Sequence, residues 1–398
     1  MKLTIPTNWD DSLITGLPRD AVSEVYGKLA ADFVGGGRAS FILPPISRKK
    51  AATHIAKIHK QGFKFNYLLN AVCMGNRELE RRGQQEIIRL IDWLVKVEVD
   101  SVTVSVPFLF KLIKDNFPFL KINVSVQANV NSVKEAMAWD ELGADKITLS
   151  VLDVNRDFIL LKKIRNAVRC QLQLIVNLKC LAGCPFSRYH GNLDSHASQS
   201  GHYLGGYMID YCTIRCNLIR MSSPLEYIKS GWIRPEDICH YEGLGIDTFK
   251  IVERQMRTEF ILKIVNAYAR RHYDGNLLDL LPTHQKSIIV GRGSLLSFLR
   301  KLKFFFRPQF VNIFKLQKVR KLFDEEEKRV YINNRALDGF LNYFIEGKCK
   351  FACGARCNYC SDVFSKAVSI NSECQNKLIN YTKGFLQELY SGSLFKLF

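Results

Sequence analysis

From about residue 38 to 280 the chain alternates short β-rich runs with longer helical ones, and few folds accept that order. Runs rich in branched and aromatic residues predict strands at Ser40–Leu43, Phe63–Leu69, Ser101–Val106, Ile122–Val126, Lys146–Val151, Leu172–Leu178 and Thr248–Val252. Between them, residues 84–97 carry Ile87, Ile88, Ile91, Leu94 and Val95 at helical spacing. Residues 132–142 end at Gly143, a suitable helix stop, and residues 153–168 are amphipathic in the same way. Strand–helix alternation at this repeat predicts a parallel sheet with crossover helices. Seven or eight such units suggest an α/β fold built on a (β/α)8 TIM-barrel-like domain, complete or short of a unit. A doubly wound open sheet is the competing architecture. The division expected is a barrel over 1–281, a basic and aromatic connector over 282–342, and a smaller cysteine-rich module with a helical tail over 343–398.

A barrel places its chemistry at the carboxyl ends of its strands. There the sequence puts Asn70 and Cys73, then Gln127 and Asn129, then Asn177, Cys180 and Cys184, then Glu253 and Arg254. Any single Asn or Gln at such a place also serves as a helix cap. The cysteines are harder to dismiss, because eight of the 12 fall into two groups. One is Cys180-x3-Cys184 followed, after residues 185–211, by Cys212-x3-Cys216. The other is Cys349-x3-Cys353-x3-Cys357-x2-Cys360, in the run KCKFACGARCNYC.

Four thiolates at such spacing suit one soft metal centre. Disulfides suit small secreted domains. This chain opens on the polar MKLTIPTNWDD and has no basic-then-apolar leader pattern, which points to a reducing, cytoplasmic setting. No run of 18 apolar residues appears. Structural zinc favours close Cys pairs, whereas iron–sulfur ligation accepts looser spacing. The first group therefore reads as iron–sulfur before zinc. The second reads as either. Cys353-x3-Cys357-x2-Cys360 also has the spacing of radical S-adenosylmethionine enzymes, but it follows the barrel instead of opening it.

The charge balance adds a partner class. With 57 basic and 38 acidic residues the formal charge is +19, which favours an acidic or anionic small substrate, an anionic membrane surface or nucleic acid. Between Lys286 and Lys321, cations such as Arg300, Lys301 and Lys303 interleave with Phe298, Phe304, Phe305 and Phe306. That mixture fits a peripheral membrane contact, with RNA as the second reading and core packing as the plain one. Gly35-Gly36-Gly37 before Arg38 stands ahead of an expected strand, so a tight turn or close backbone approach is expected there, with Arg38 free to meet an anion. His190, His196 and His202 crowd the long excursion between the first cysteine pairs, which reads as a lid or cluster cover. Pro235, Glu236 and Asp237 form a helix start. No Gly-x-Ser-x-Gly, His-Glu-x-x-His or phosphate-loop motif is present, so no nucleophile stands out.

Taken together, VNLKCLAGCPFSRYHGN, YCTIRC, KSGWIRPEDI and GIDTFKIVER resemble the collagenase-like peptidase family, peptidase family U32, from about Val25 to Asp279. CGARCNYC resembles a subset of its members. The resemblance implies a TIM-barrel-like domain with a cysteine-bound [4Fe–4S] cluster. It implies either a protease of undefined type or oxygen-independent hydroxylation, in some members as a pair of related subunits and in others on RNA bases. By this resemblance Cys180, Cys184, Cys212 and Cys216 are the cluster ligands, with Cys239 in reserve. Cys349, Cys353, Cys357 and Cys360 form a second iron–sulfur or zinc site. Arg38, Asn70, Gln127, Asn177, Arg188, His190, Arg234, Glu253 and Arg254 are candidates for substrate binding. The function expected is an iron–sulfur hydroxylase or related modifying enzyme, with a peptidase or a non-catalytic cluster-bearing module for RNA or membrane as alternatives.

Overall fold

In a computed structural model, which describes residues 1–203, 205–206, 208–283, 329–350, 353 and 357–395, eight parallel strands close into a barrel. They are β1 (Lys2–Pro6), β2 (Val22–Gly27), β3 (Lys64–Leu69), β4 (Ser101–Val104), β5 (Lys121–Val124), β6 (Lys146–Thr148), β7 (Gln171–Ile175) and β8 (Thr248–Lys250). Each pairs with the next, and β8 returns to β1 through Lys2, Leu3 and Thr4 against Thr248, Phe249 and Lys250. The barrel is therefore complete.

One strand expected from sequence is absent, and two that were not expected are present. β1 and β2 lie ahead of the region where the alternation was read. Residues 40–43 form no strand, because Ser40–Ile42 is a 3-10 turn. The reason is topological. β2 pairs directly with β3, through Glu24 to Gly27 against Lys64 to Tyr67, so nothing can insert between them. The glycine run thus follows a strand instead of preceding one.

Helices cover the barrel where the apolar spacing predicts them. Those used below are α1 (Asp11–Thr15), α2 (Arg48–Lys60), α3 (Arg81–Lys96), α4 (Pro107–Asn116), α5 (Val133–Glu141), α6 (Phe158–Ala167), α7 (Ser187–Ser198), α8 (Tyr211–Ser222), α9 (Glu226–Lys229), α10 (Ile238–Glu242) and α11 (Thr258–Arg270). α3 buries Ile87, Leu90, Ile91 and Leu94 against the wall. α5 starts on Ser132, whose hydroxyl accepts the Glu135 N–H at 3.2 Å, while Glu135 accepts the Asn131 N–H at 3.0 Å. It stops at Gly143, whose φ of 91° a side-chain-bearing residue rarely adopts.

The barrel interior is polar. Glu24 accepts from Lys146 at 3.0 Å, Ser101 at 3.2 Å and Thr4 at 3.3 Å. Gln173 donates to Thr4 at 2.9 Å and accepts from Thr148 at 3.0 Å. Asn66 donates to Ser101 at 2.6 Å and accepts from Thr103 at 2.7 Å. Barrels of this class usually fill that space with branched apolar side chains.

Beyond the barrel, β9 (Val330–Ile332) pairs antiparallel with β10 (Val368–Ile370), flanked by α12 (Asn342–Ile345), α13 (Tyr359–Ala367) and α14 (Ser372–Tyr390). Val330, Ile332, Leu337, Phe340, Phe344 and Ala367 share one continuous apolar core with the barrel. α14 packs Phe385 and Leu386 on Ile214, Leu218 and Met221 of α8. The basic and aromatic run from Lys286 to Lys321 lies outside the described residues. Among those described, no helix is long and apolar enough to cross a membrane.

Arg234 is the polar bolt between barrel and module. Its guanidinium donates twice to Asp237 at 2.8 Å, to the Asn334 carbonyl at 2.7 Å and to Asp338 at 2.9 Å. Arg234→Met leaves Asp237 buried without its cation and is expected to cost about 3–5 kcal/mol. Asp338→Asn, at an exposed carboxylate, is expected to cost less than about 1 kcal/mol. Urea unfolding midpoints of the two variants check this, and equal losses would refute it.

Candidate functional site

Loops after β2, β3, β5, β7 and β8 meet at one end of the barrel, and α7 lies across it. Ser195 of α7 accepts the Val72 N–H at 2.9 Å. Ser198 accepts the Gly36 N–H at 2.7 Å. Gln199 donates to the carbonyls of Val34 at 3.2 Å and Cys73 at 2.7 Å. The excursion between the cysteine pairs is thus an ordered cover, stitched to two rim loops.

The glycine run is there for close approach. A Cβ on Gly36 would stand 2.7 Å from Asn70 Oδ1, and one on Gly37 2.9 Å from Gln127 Nε2. Gly35 has φ 83°. Its N–H donates to Asp32 at 2.7 Å and that of Gly36 to Ser198, so both are taken by protein acceptors. Asp32 also accepts from the Tyr67 hydroxyl at 2.8 Å and forms a buried ion pair with Lys28.

Arg38 emerges from this loop into a ring of opposite charge. It meets Glu253 at 2.6 Å and Asp194 at 3.6 Å. His190, one helical turn before Asp194, lies 3.8 Å from that carboxylate and 3.3 Å from Asp210. Burial works against the His190 imidazolium, but the hydrogen bond and charge of Asp210 outweigh it and raise its pKa. Burial pushes the Asp194 carboxyl up to about 6, although His190 and Arg38 oppose it. Arg254, also buried, forms no ion pair among the described residues.

The first cysteine group closes the ring. Cys180 and Cys184 follow β7, and Cys212 and Cys216 sit on α8, whose start is capped by Asp210 through the Thr213 N–H at 2.9 Å. The four sulfurs feel one another. Burial and the neighbouring Cys216 and Cys184 push Cys180 up to about 11, with Arg220 and Arg38 opposing. Burial, then Asp210, Cys184 and Cys216 push Cys212 up to about 12. All four are free thiols. Among the described residues no three His, Cys, Asp or Glu side chains are arranged to hold a single metal ion.

Of the substrate-binding candidates, Arg38, Asn70, Gln127, His190, Glu253 and Arg254 come together at this rim, while Arg188 is exposed on α7. Two are better explained as structure. Asn177 is wholly buried and donates to the Val252 and Leu280 carbonyls while accepting the Val252 N–H at 2.8 Å. Every guanidinium nitrogen of Arg234 has a protein acceptor, as described above. Cys239 is exposed on α10, on the outer helix layer with its thiol toward the Glu236 carbonyl at 3.6 Å, away from the quartet. Sequence reasoning missed Asp194, Asp210, Lys28 and Asp32. The pairing of His190 with a carboxylate four residues on was the available signal for Asp194.

The buried carboxyl gives a signed pH dependence. Its folded pKa of about 6 lies above the ordinary 3.8, so Asp194 favours the folded state fully below pH 3.8 and loses that contribution as pH rises through 6. Asp194→Asn is expected to remove this term. The difference in urea midpoint between wild type and variant should therefore change between pH 7.5 and pH 5, in favour of wild type at the lower pH. A difference that does not move with pH would refute the assignment.

Comparison with known proteins bears on this arrangement. Residues 44–201 match the model of peptidase family U32. The chain is 32% identical over 339 residues to the uncharacterized protease MJ1657 of Methanocaldococcus jannaschii, covering 85% of this chain and 87% of that protein. Among solved structures, the U32 peptidase Mk0906 is 20% identical with a TM-score of 0.48, covering 63% of this chain and 92% of its own. FabK from Thermotoga maritima is 10% identical with a TM-score of 0.32, covering 66% of this chain and 64% of its own. With one relative this similar along most of both chains, and a family match running from the loop after β2 to the end of the cover helix, the chain belongs to peptidase family U32.

Proposed function

We propose that this chain is an oxygen-independent hydroxylase or related modifying enzyme that works through a [4Fe–4S] cluster held by Cys180, Cys184, Cys212 and Cys216. The observation that carries the reading is the gathering of these four thiols beside Arg38 at the open end of the barrel. The donor set fits the group, since four cysteine thiolates are what such a cluster requires. The reading rests on that donor chemistry and not on a preformed cage for one ion. When bound, the cluster supplies one-electron redox chemistry.

The remaining roles fall to this chain's own side chains. Arg254 is buried and free of ion pairs among the described residues, so it suits an acidic group on a small substrate. Arg38 is steered by Glu253 and Asp194, which fix its fork at the rim. His190 places Nε2 between two carboxylates, which favour its protonated form. α7 limits water at the mouth.

A peptidase is the alternative that the family name offers. The two buried serine hydroxyls of the cover helix are occupied by backbone, since Ser195 donates to the Gly191 carbonyl at 2.6 Å and Ser198 to that of Asp194 at 2.8 Å. A Thr–His–Asp relay does exist among the described residues. Thr7 lies 2.8 Å from His54 Nε2, and His54 Nδ1 lies 2.8 Å from Asp11. Its hydroxyl is almost wholly buried, at 1% exposure, and accepts the Trp9 N–H at 3.0 Å, so a scissile carbonyl cannot reach it.

Protein purified without oxygen is expected to be brown, with iron and sulfide and a broad visible band that Cys180→Ala bleaches. Stoichiometric zinc without iron or sulfide would sink the proposal. Neither metal-replete protein nor apoprotein is expected to cleave casein or denatured collagen. Cleavage that persists without metal and disappears in His54→Gln would instead establish the relay as a hydrolase site.

A further inference from the structure

Arg156 follows β6 and is sealed between barrel and C-terminal module, at 6% exposure. Its guanidinium lies over three rings, 4.5 Å from Trp232, 4.8 Å from Phe340 and 5.4 Å from Phe344. One nitrogen donates to the Ile228 carbonyl. Nε and Nη2 are buried with no hydrogen-bond partner, and among the described residues no carboxylate pairs with the charge. A buried guanidinium with two idle donors and no counter-ion is costly. The groups whose negative forms support its charge are, in order, Cys360, Tyr241, Asp237 and Cys349. Neutral thiols would give it little.

Those two cysteines belong to the C-terminal quartet. Cys349, after α12, and Cys360, in the first turn of α13, pack against the main core. Tyr359, next to Cys360, stacks on Tyr343 at 4.1 Å and on Phe340 at 5.8 Å between ring centroids, and the charges of Cys353, Cys349 and Cys357 all act on Cys360. Cys357 lies 3.5 Å from the Tyr343 hydroxyl, a natural donor to a thiolate. Cys353 is exposed and the other three are half-buried. Lys229 of α9 adds a second cation whose charge Cys353 and Cys360 favour, after its partner Glu226. Four thiolates around a divalent ion keep two negative charges, and a thiolate-bound iron–sulfur cluster is likewise anionic.

We infer that Cys349, Cys353, Cys357 and Cys360 form a second, anionic metal–thiolate centre, and that Arg156 is its buried counter-cation. Arg156 is a positioning residue, its charge offsetting that of the thiolates and tying the metal-bearing module to the loop after β6. Outer-shell groups of this kind set how firmly a metal is held. The inference stands apart from the rim quartet and does not depend on what that quartet binds.

The test uses the full chain carrying Cys180→Ala, prepared without oxygen and assayed for zinc, iron and sulfide. One centre's metal is expected to remain and to fall to background when Cys360→Ser is added. Zinc alone, or iron with sulfide, would each support the centre and identify its metal. Adding Arg156→Met should weaken retention against a competing chelator about 10–100-fold, and Arg156→Lys should recover part of that loss, which a purely packing role would not. Background metal in the Cys180→Ala chain, with its wild-type circular dichroism kept, would overturn the centre. So would metal that survives Cys360→Ser. Unchanged retention in Arg156→Met would overturn the arginine's role.

Discussion

The barrel closes around the Glu24 carboxylate. It receives Lys146 from across the interior, Ser101 from β4 and Thr4 from the neighbouring strand, and so links β1, β2, β4 and β6 at one point. Breaking a buried pair of this kind typically costs about 3–5 kcal/mol, because the surviving charge is stranded. Asn66, Thr103, Thr148 and Gln173 add further side-chain hydrogen bonds between strands. Such an interior has fewer ways to repack than an apolar one, since each donor must meet its acceptor. The register that this network fixes brings five loops to one rim, and the site follows from that.

The rim shows how a positively charged protein keeps its cations directed. Arg38 is caught between two carboxylates, Lys28 is paired with Asp32, and Arg254 is buried without an ion pair among the described residues. Burial, with the neighbouring Cys184 and Cys216, holds the thiols of Cys180 and Cys212 back from ionisation, and Asp210 adds to the effect at Cys212. A positive metal centre reverses both effects at once. Binding of the proposed cluster would therefore be coupled to proton release.

Much of this was legible in sequence. The helical spacing of Ile87, Ile88, Ile91, Leu94 and Val95 locates α3, and Ser132 and Gly143 bracket α5. The rim positions of Cys180, Glu253 and Arg254 follow from strand ends alone. β1 and β2 were missed because a barrel with a polar interior breaks the apolar pattern that marks a strand, and Glu24 points inward where a valine would be expected. Phe41 and Ile42 suggested a strand by composition, but strand pairing is decided by neighbours distant in sequence. For the same reason no local signal separated Arg234, a bolt between modules, from Arg254, buried without an ion pair among the described residues. Arg156 carried no signal either, because its meaning comes from residues nearly two hundred positions later.

The packing of α14 on α8 has a consequence for the order of assembly. The helix bearing Cys212 and Cys216 gets its outer apolar cover from Phe385 and Leu386, and Gln375 reaches the Met221 carbonyl across a separation of 154 residues. During synthesis that helix is laid down long before its cover exists. The rim cysteines therefore pass through a period in which half of the set is tethered to an unsupported helix, open to oxidants and to competing metals. If the rim site takes the proposed cluster, loading belongs after α14 has docked on α8, and α14 would act as the latch that decides when the site is finished.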